Sequence, residues 1–328
     1  MATIRYVNTN STAGGDGTTN ATDGTNRAYA SLAEWNTNEA TSLSDDHIVY
    51  CSGGADNTAF STTDFTTNGY TITIQGNPDA SDGANLTGIF STDFYYIENN
   101  NQTIRFSLLK ATPIVFRNVQ FYENQSTDNN HYIFELYLAG DDSFTMDGCI
   151  FKRNESHTNF KTGLFSLTNG TNDLYFLNNN FTKGRHYNDF IIAAGNSANC
   201  YILNNTFNVD TSGTINANTG LFIESSGTGS YTIKNNVFLN QLDSKSCFIL
   251  PNATVDEDFN ATTSSTGTTN GDSLIGSNSI HDISTTDGVD FVEPSTGNYT
   301  LTATSALRDA GTDLSAYLTT DITGQDRD

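Results

Sequence analysis

The chain has 328 residues, including 40 Asn and 49 Thr but only 14 Lys and Arg, and its formal net charge is −23. Good helix formers are scarce, which argues against an all-helical or doubly wound α/β chain. The charge disfavours contacts with nucleic-acid phosphates or an anionic membrane surface, and no stretch reaches the ~18 to 20 apolar residues of a membrane span. With 21 Phe and 15 Tyr, the chain is too aromatic to be disordered and is expected to fold mainly as β-structure.

Residues 1–47 are predicted to form an N-terminal segment with a short capping helix. The opening residues lack the charged and then apolar layout of a secretory signal. Between Gly15 and Asn26 the chain combines oxygen-bearing side chains with glycines, which makes Asp16 and Asp23 candidates for calcium ligands. Their spacing differs from that of an EF-hand loop, and a polar turn without metal is favoured. The helix is predicted at 30–36, where it would cover the open end of a solenoid.

A repeat follows the first predicted strand, which is placed at 48–51. Its motif is apolar-x-apolar-x-Asn-x-x-Phe, and the alternation within it predicts a strand with one inward face. Five phenylalanines close the motif at intervals of 30, 30, 26 and 31 residues, and we predict that they form a core aromatic column: Phe121, Phe151, Phe181, Phe207 and Phe238.

Three residues before each closing phenylalanine stands an asparagine or a glycine. Both residue types tolerate the left-handed backbone conformation that a tight corner between strands requires. Stacked amide side chains at such a corner can bond to one another and to the turn backbone, which satisfies polar groups inside the fold. We therefore predict a structural column of corner asparagines, interrupted by Gly148: Asn118, Asn178, Asn204 and Asn235.

A second apolar segment precedes each motif, and Phe134, Phe165, Ile191 and Phe222 are taken as its equivalent positions. Each lies 16 or 17 residues before the next closing phenylalanine, whereas its distance from the previous one varies. This pattern is typical of a rigid strand-turn-strand unit that alternates with a surface loop. Between residues 77 and 114 the repeat gives no register.

The repeats from about Tyr70 to Phe259 resemble the right-handed parallel β-helices of the pectate-lyase-like superfamily. The opening residues 2–8, followed by Gly14 to Gly17, resemble β-helix proteins encoded by tailed bacteriophages. The resemblance implies an all-β fold, a right-handed parallel β-helix solenoid over 48–275, with the short N-terminal capping helix before it. Residues 276–328 resemble the closing segment of such proteins. In those proteins the chain often continues into a short final strand, whereas this sequence stops before it. A partner subunit could therefore complete the cap.

The four cysteines are far apart in the sequence, without the close pairs of a zinc site or a dense disulfide framework. We interpret them as small buried apolar residues, and no cofactor is predicted. They are Cys51, Cys149, Cys200 and Cys247.

The resemblance, together with the missing export signal, favours a protein made in the host cytoplasm and released by lysis. It implies a structural protein exposed on a phage virion, such as a capsid decoration protein, a head fibre or an accessory spike. Roughly 45 residues precede the first predicted strand, too few for the anchor domain of a complete tailspike. The expected partners are other virion proteins and further copies of the chain, with a trimer fitting a symmetric particle.

Two other functions stay open. Tyr175 and Tyr201 occupy equivalent outward positions in adjacent repeats, where they could stack on host-surface polysaccharide or pack beneath another part of the protein. The alternative is a tailspike-like polysaccharide lyase or glycoside hydrolase. A lyase would use the basic loops after Phe151 and Phe181, and a hydrolase would use two carboxylates. The spacing selects no pair, so no catalytic residue is assigned among Glu135, Asp141, Asp142, Asp147, Asp173 and Glu224.

Overall fold

The structure, a computed structural model, describes the chain in segments. They are residues 1–39, 42–58, 60–61, 68–79, 88–100, 104–108, 113–124, 132–136, 143–153, 165–167, 173–183, 191–193, 198–209, 223–225, 227–240, 247–264 and 276–318.

Strands dominate these segments. The first elements are β1 Thr3–Asn8, α1 Leu32–Glu39, β2 His47–Ser52, β3 Ala55–Asp56, β4 Phe60–Ser61, β5 Ile72–Gly76, β6 Tyr96–Asn99, β7 Ile104–Leu108, β8 Ile114–Arg117 and β9 Gln120–Glu123. The middle ones are β10 Tyr132–Leu136, β11 Ser143–Asp147, β12 Ile150–Arg153, β13 Phe165–Leu167, β14 Asp173–Leu177, β15 Asn180–Lys183, β16 Ile191–Ala193, β17 Asn199–Leu203 and β18 Thr206–Val209. The last are β19 Ile223–Ser225, β20 Ser230–Lys234, β21 Val237–Leu239, β22 Phe248–Ile249, β23 Thr254–Asp258, β24 Ala261–Thr262, β25 Phe291–Glu293 and β26 Asn298–Leu301.

These strands form three long parallel sheets. Sheet A has the order β1-β2-β5-β8-β11-β14-β17-β20-β23, sheet B runs from β3 to β24 in eight strands, and sheet C runs from β4 to β22 in seven. Each turn of the chain from β2 to β22, called a rung here, adds one strand to each sheet, and every pairing between the described strands of these sheets is parallel. The fold is a right-handed parallel β-helix, and the prediction of its class is confirmed.

The core fills the space between the three sheets. Alternate residues of sheet A point inward, so that Phe116, Met146, Phe176, Ile202 and Ile233 are all fully buried. Phe134 of sheet C lies 5.2 Å from the Phe116 ring and 5.3 Å from the Phe121 ring, measured between centroids. One side chain therefore joins all three sheets, which is how a solenoid with short strands obtains a continuous apolar interior.

The N-terminal end differs from the prediction in its first strand. Strand β1 precedes α1 and pairs with β2 in parallel along its whole length, so the first strand is not the one at 48–51. The short segment lies about forty residues before β2, and with no repeat copy beside it the sequence pattern gave it no register. Helix α1 places Leu32 and Trp35 in the same core as Val7 and Val49.

Two register questions are also answered. Strands β6 and β7 lie between residues 77 and 114, where the repeat gave no register. Ile97 pairs with Phe121 and is therefore the equivalent of the closing phenylalanines in the preceding rung. Ile191 pairs with Ile223 rather than with Phe222, so the predicted equivalence was off by one residue there. In the sequence, the distance from the preceding closing phenylalanine varies from rung to rung, so the spacing does not fix the register of this strand.

The C-terminal segment folds back along the outside of the solenoid. Strands β25 and β26 form an antiparallel hairpin, whose Phe291 packs on Leu239 and Ala261 of the last rungs. Further on, Leu314 and Leu318 pack on residues of β14 and β17. The chain thus returns past several rungs instead of stopping at the end of the stack.

Candidate functional site

The corner between sheets A and B uses the predicted asparagines as left-handed residues. Their φ values lie between 51° and 59°, and Gly148 takes the same position with φ 64°. A Cβ atom on Gly148 would clash with the side-chain oxygen of Asn118, which would then have to move, and the left-handed φ favours glycine or asparagine here. Phe259 takes the corner conformation in the last rung. The corner asparagines are Asn118, Asn178, Asn204 and Asn235.

The continuous buried ladder lies one residue later than the predicted column. Oδ1 of Asn205 accepts from the backbone N–H of Asn179 at 2.9 Å, and Oδ1 of Asn236 accepts from that of Asn205 at 2.9 Å. Asn260 continues the ladder by accepting from Asn236. The corner residues bond in the outer layer instead, as where Asn204 donates to Asn178 at 2.7 Å. Adjacent asparagines in three rungs were the signal for this ladder: 178–179, 204–205 and 235–236.

The five closing phenylalanines form an unbroken stack inside sheet B. Neighbouring ring centroids are 4.6, 4.8, 4.9 and 5.1 Å apart, and the rings lie within 16° of parallel. Both columns are structural, because their side chains are almost fully buried and contact one another from rung to rung. The stack consists of Phe121, Phe151, Phe181, Phe207 and Phe238.

A groove with a cavity of about 430 Å³ lies on the outward face of sheet B, and it is called the sheet B groove here. Its floor includes Lys152, Thr182 and Asn208, which are register partners on successive strands. One wall is the loop at 88–90, and the other is the hairpin at 294–299. The lining is mostly amide, hydroxyl and aromatic. Volumes of this size accommodate small organic ligands.

A second cavity of about 570 Å³ adjoins it, along the corner asparagines, and is called the corner groove here. The two cavities share Gly88, Asn180, Gly297 and Tyr299 in their linings. Asn180 is buried, its Nδ2 donates to the carbonyl of Gly88, and its Oδ1 has no partner among the described residues. An acceptor left open where two cavities meet is available to a ligand hydroxyl or to water.

The charge of the sheet B groove contrasts with that of the whole protein. The chain carries 37 Asp and Glu, yet the described lining contains neither and has Lys152 as its one charged residue. The Lys152 ammonium lies 5.6 Å from the centroid of Phe90. Phe90 in turn contacts Tyr122 with ring centroids 5.2 Å apart. A polar lining without acids, beside a group of aromatic rings, can bind a hydroxyl-rich ligand without charge repulsion.

The two predicted glycan-contact residues lie on a different face. Tyr175 and Tyr201 stack on the outside of sheet A with centroids 4.7 Å apart and planes 8° from parallel. Tyr317 of the C-terminal segment covers them in part, with its ring 5.4 Å from that of Tyr201. Burial, and secondly the charge of Asp173, raises the pKa of Tyr175 to about 12. The structure therefore shows packing by the chain itself at this pair.

The calcium candidates Asp16 and Asp23 are not brought into a ligand cluster. Oδ1 of Asp16 accepts from the N–H and the hydroxyl of Thr18, which forms a local polar turn. The described residues contain no group of three or more His, Cys, Asp or Glu side chains that could hold a metal ion. In the same part of the chain, no helix has the length and hydropathy of a membrane span.

Only some of the candidate carboxylates, none of which was assigned as catalytic, belong to the described residues. Asp147 accepts from Nδ2 of Asn178, and Asp173 accepts from the Tyr175 hydroxyl and from Nδ2 of Asn199. These contacts give both acids structural roles on sheet A. The side chains of Glu135 and Glu224 and the residues Asp141 and Asp142 lie outside the described set, as do the loops after Arg153 and Lys183 that a lyase would use.

All four cysteines are buried, free thiols. Burial raises the pKa of Cys149 and of Cys200 to about 12. At neutral pH both are therefore unreactive thiols, because the thiolate is the nucleophilic form.

A polar cluster lies at the ends of three successive strands of sheet B, β6, β9 and β12. Asn99, Glu123 and Arg153 are register partners on three successive strands. Burial raises the pKa of Glu123, and the nearby Arg153 charge opposes this only in part. One carboxylate oxygen of Glu123 and both polar atoms of Asn99 have no partner among the described residues. The cluster is thus an electrostatic cost of the fold at neutral pH.

Glu123→Gln is expected to stabilise the protein at neutral pH and to have no effect in acid. Because the folded state raises the pKa of Glu123, its favourable contribution is present below the ordinary value of 4.5 and is lost as the pH rises. Glutamine stays neutral throughout, so the free energy of unfolding at pH 7 should increase. Melting temperatures of both proteins as a function of pH test this, and a difference that does not change with pH would contradict it.

Comparisons with known proteins give one fold-level likeness. No family model matches the chain, and no curated protein matches it. Among solved structures, the pectin methylesterase of Aspergillus niger, in deglycosylated form, matches with 9% sequence identity and a TM-score of 0.44. The match covers 77% of this chain and 92% of that one. At this level of similarity it carries no argument about activity.

Proposed function

We propose that this chain is a structural protein exposed on a phage particle, and that it contacts surface polysaccharide through the sheet B groove. The observation that carries the glycan role is the groove lining. In a chain with a net charge of −23, the described lining has amides, hydroxyls and aromatic rings but no carboxylate. Sugars present hydroxyls that bond to amides and hydroxyls, and apolar ring faces that pack on aromatic side chains.

The groove has a repeating floor. Lys152, Thr182 and Asn208 follow one another at the spacing of adjacent strands, about 4.8 Å. Side chains repeated along the solenoid axis suit an extended chain molecule better than a single compact ligand. The stack of three parallel sheets beneath holds these side chains rigidly, so little conformational entropy is lost when they bind.

Binding rather than cleavage is the function that the groove supports. Hydrolysis of a glycosidic bond normally needs two carboxylates that flank it, and the described lining of the sheet B groove has none. Asp309 is the one acid in the described lining of the adjoining corner groove. Release of reducing ends or unsaturated sugars from a host polysaccharide by the purified protein would overturn this conclusion.

Thr182→Ala and Asn208→Ala are each expected to weaken glycan binding about threefold to tenfold, because each removes hydrogen-bonding groups from the groove floor. A glycan array identifies the oligosaccharide, and isothermal titration measures its Kd. Thr232→Ala is the matched control, since Thr232 is a half-buried strand threonine on sheet A, outside either groove. If all three variants keep the Kd of the unmodified protein, the groove is not the binding site.

The location on a particle needs a separate test. We expect the chain to be found by mass spectrometry in purified phage particles, and an electron-microscopic map should show a rod or knob of its dimensions on the outer surface. Its absence from purified particles would contradict the virion role while leaving the glycan role intact. The map would also distinguish a head position from a tail position and would count the subunits at each site.

A further inference from the structure

Two stacked tyrosine rings lie beneath the C-terminal segment on the outside of sheet A. Tyr175 and Tyr201 are register partners on β14 and β17, and their rings lie 8° from parallel at 4.7 Å. Together they form one face-to-face aromatic stack, called the tyrosine platform here. A ring face at the end of such a stack can pack against the apolar face of a sugar ring.

Hydrogen-bonding groups border this platform on one side. Asp173 accepts from the Tyr175 hydroxyl at 3.2 Å and from Nδ2 of Asn199 at 2.9 Å. Oδ1 of Asn199 accepts from the hydroxyl of Ser230 at 2.6 Å. An acid, an amide and a hydroxyl thus stand in a row on three successive rungs beside the aromatic surface. That combination offers both acceptors and donors to sugar hydroxyls.

The segment that covers the platform is called the strap here and comprises residues 311–318. Its described backbone makes no backbone hydrogen bond to a solenoid strand. Its polar link is the pair between Thr312 and Asn235, where the Asn235 side chain accepts at 2.9 Å and donates at 2.8 Å. Apolar contact comes from Leu314 and Leu318. Tyr317 lies over Tyr201 with 45% of its surface exposed.

We infer that the tyrosine platform is a second carbohydrate-binding site and that the strap is a built-in occupant which a glycan displaces. The Tyr317 ring takes the place that a sugar ring would take. Among the described residues, two leucines, the Tyr317 ring and one side-chain pair hold the strap, which has no strand pairing. This segment can therefore open while the stacked sheets remain folded. The site lies on sheet A and is distinct from the groove proposed above.

Opening the strap also affects the first site. Gly311 and Thr312 line the corner groove, and this cavity shares Asn180 with the sheet B groove. Displacement of the strap therefore removes part of one wall of the corner groove while it uncovers the platform. A glycan bound at the platform and one bound in the grooves are linked through this single segment.

The experiment compares Tyr317→Ala with Tyr317→Phe on an array of linear hexose and N-acetylhexosamine oligosaccharides. Removing the ring should raise the apparent affinity about tenfold, because the ligand no longer competes with it, whereas phenylalanine keeps the ring and should change nothing. The gain should vanish in Tyr317→Ala/Tyr201→Ala and persist in Tyr317→Ala/Thr182→Ala. Loss of the gain with Thr182→Ala instead would place it in the sheet B groove, which would overturn the platform site but leave the proposed function standing.

Hydrogen exchange of the unmodified protein gives an independent readout. Amides of the strap should exchange at least about a hundredfold faster than those of β17, because the strap opens without unfolding the solenoid. Exchange as slow as that of β17 would show that the strap does not open and would overturn the inference. Unchanged affinity of Tyr317→Ala, together with fast exchange, would show an open strap over a platform that binds no sugar, which also overturns it.

Discussion

Replacing Asn205 with leucine is expected to lower the free energy of unfolding by more than about 4 kcal/mol. Nδ2 of Asn205 donates to the carbonyl of Phe176 at 2.8 Å and to Oδ1 of Asn236 at 3.0 Å. Its Oδ1 accepts from both the backbone and the side chain of Asn179 at 2.9 Å. Leucine fills a similar volume but leaves these groups without partners at a buried position. Each buried group that loses its partner costs about 1 to 3 kcal/mol.

Asn208→Leu is the matched control for this substitution. Asn208 is also an asparagine on the same rung, but it faces outward, and the equivalent position of the next rung is already Leu239. Its replacement should cost less than about 1 kcal/mol, because one amide bond to Asn240 is lost where the side chain borders the sheet B groove. Urea unfolding followed by circular dichroism gives both values. Equal shifts in the midpoint would mean that the ladder does not hold the corner together.

The repeat register could be predicted from the sequence because it rests on side-chain type at a fixed spacing. A phenylalanine that closes every rung must pack on its equivalent in the next one, and the structure pairs Phe151 with Phe121 and with Phe181. Spacing did not fix the register of the apolar segment before each motif, because its distance from the previous closing phenylalanine varies. Ile223 and Phe222 are adjacent and both apolar, so composition alone could not decide which of them faces inward.

The predicted column of asparagines lies one residue before the buried ladder for a related reason. Asn204 and Asn205 are identical in type, and only the backbone conformation separates their roles. With φ 59°, Asn204 turns the corner at the outer layer, which sends the side chain of Asn205 into the interior. A prediction based on residue type identifies the corner. It cannot assign the inward side chain without the dihedral angles.

The grooves could not be predicted, because their walls are distant in sequence. Asn180 bonds to the carbonyl of Gly88, ninety-two residues away, and the opposite wall is the C-terminal hairpin near Gly297. A repeat pattern contains no information on where a segment outside the repeat folds back. The charge contrast of the groove is likewise a property of the assembled surface.

Phe181→Ala is expected to lower the free energy of unfolding by about 3 to 5 kcal/mol. The ring is fully buried, and it stacks on Phe151 at 4.8 Å and on Phe207 at 4.9 Å. Removing it leaves a cavity between two rungs and breaks both stacking contacts. Phe181→Leu keeps most of the volume and should cost less than half as much. If the two variants unfold at the same denaturant concentration, the stacked rings contribute no more than aliphatic bulk.

The effect of the stack should couple between neighbouring rungs only. In the double variant Phe181→Ala/Phe207→Ala, the contact between the two rings is counted in each single change, so the combined loss should be smaller than the sum by about 0.5 to 1.5 kcal/mol. Phe121→Ala/Phe207→Ala removes rings two rungs further apart, and its losses should add within about 0.5 kcal/mol. A solenoid is held by nearest-neighbour contacts, and this difference measures that property directly. Coupling of equal size in both pairs would mean that the rungs unfold as one cooperative core, with no separable stacking between neighbours.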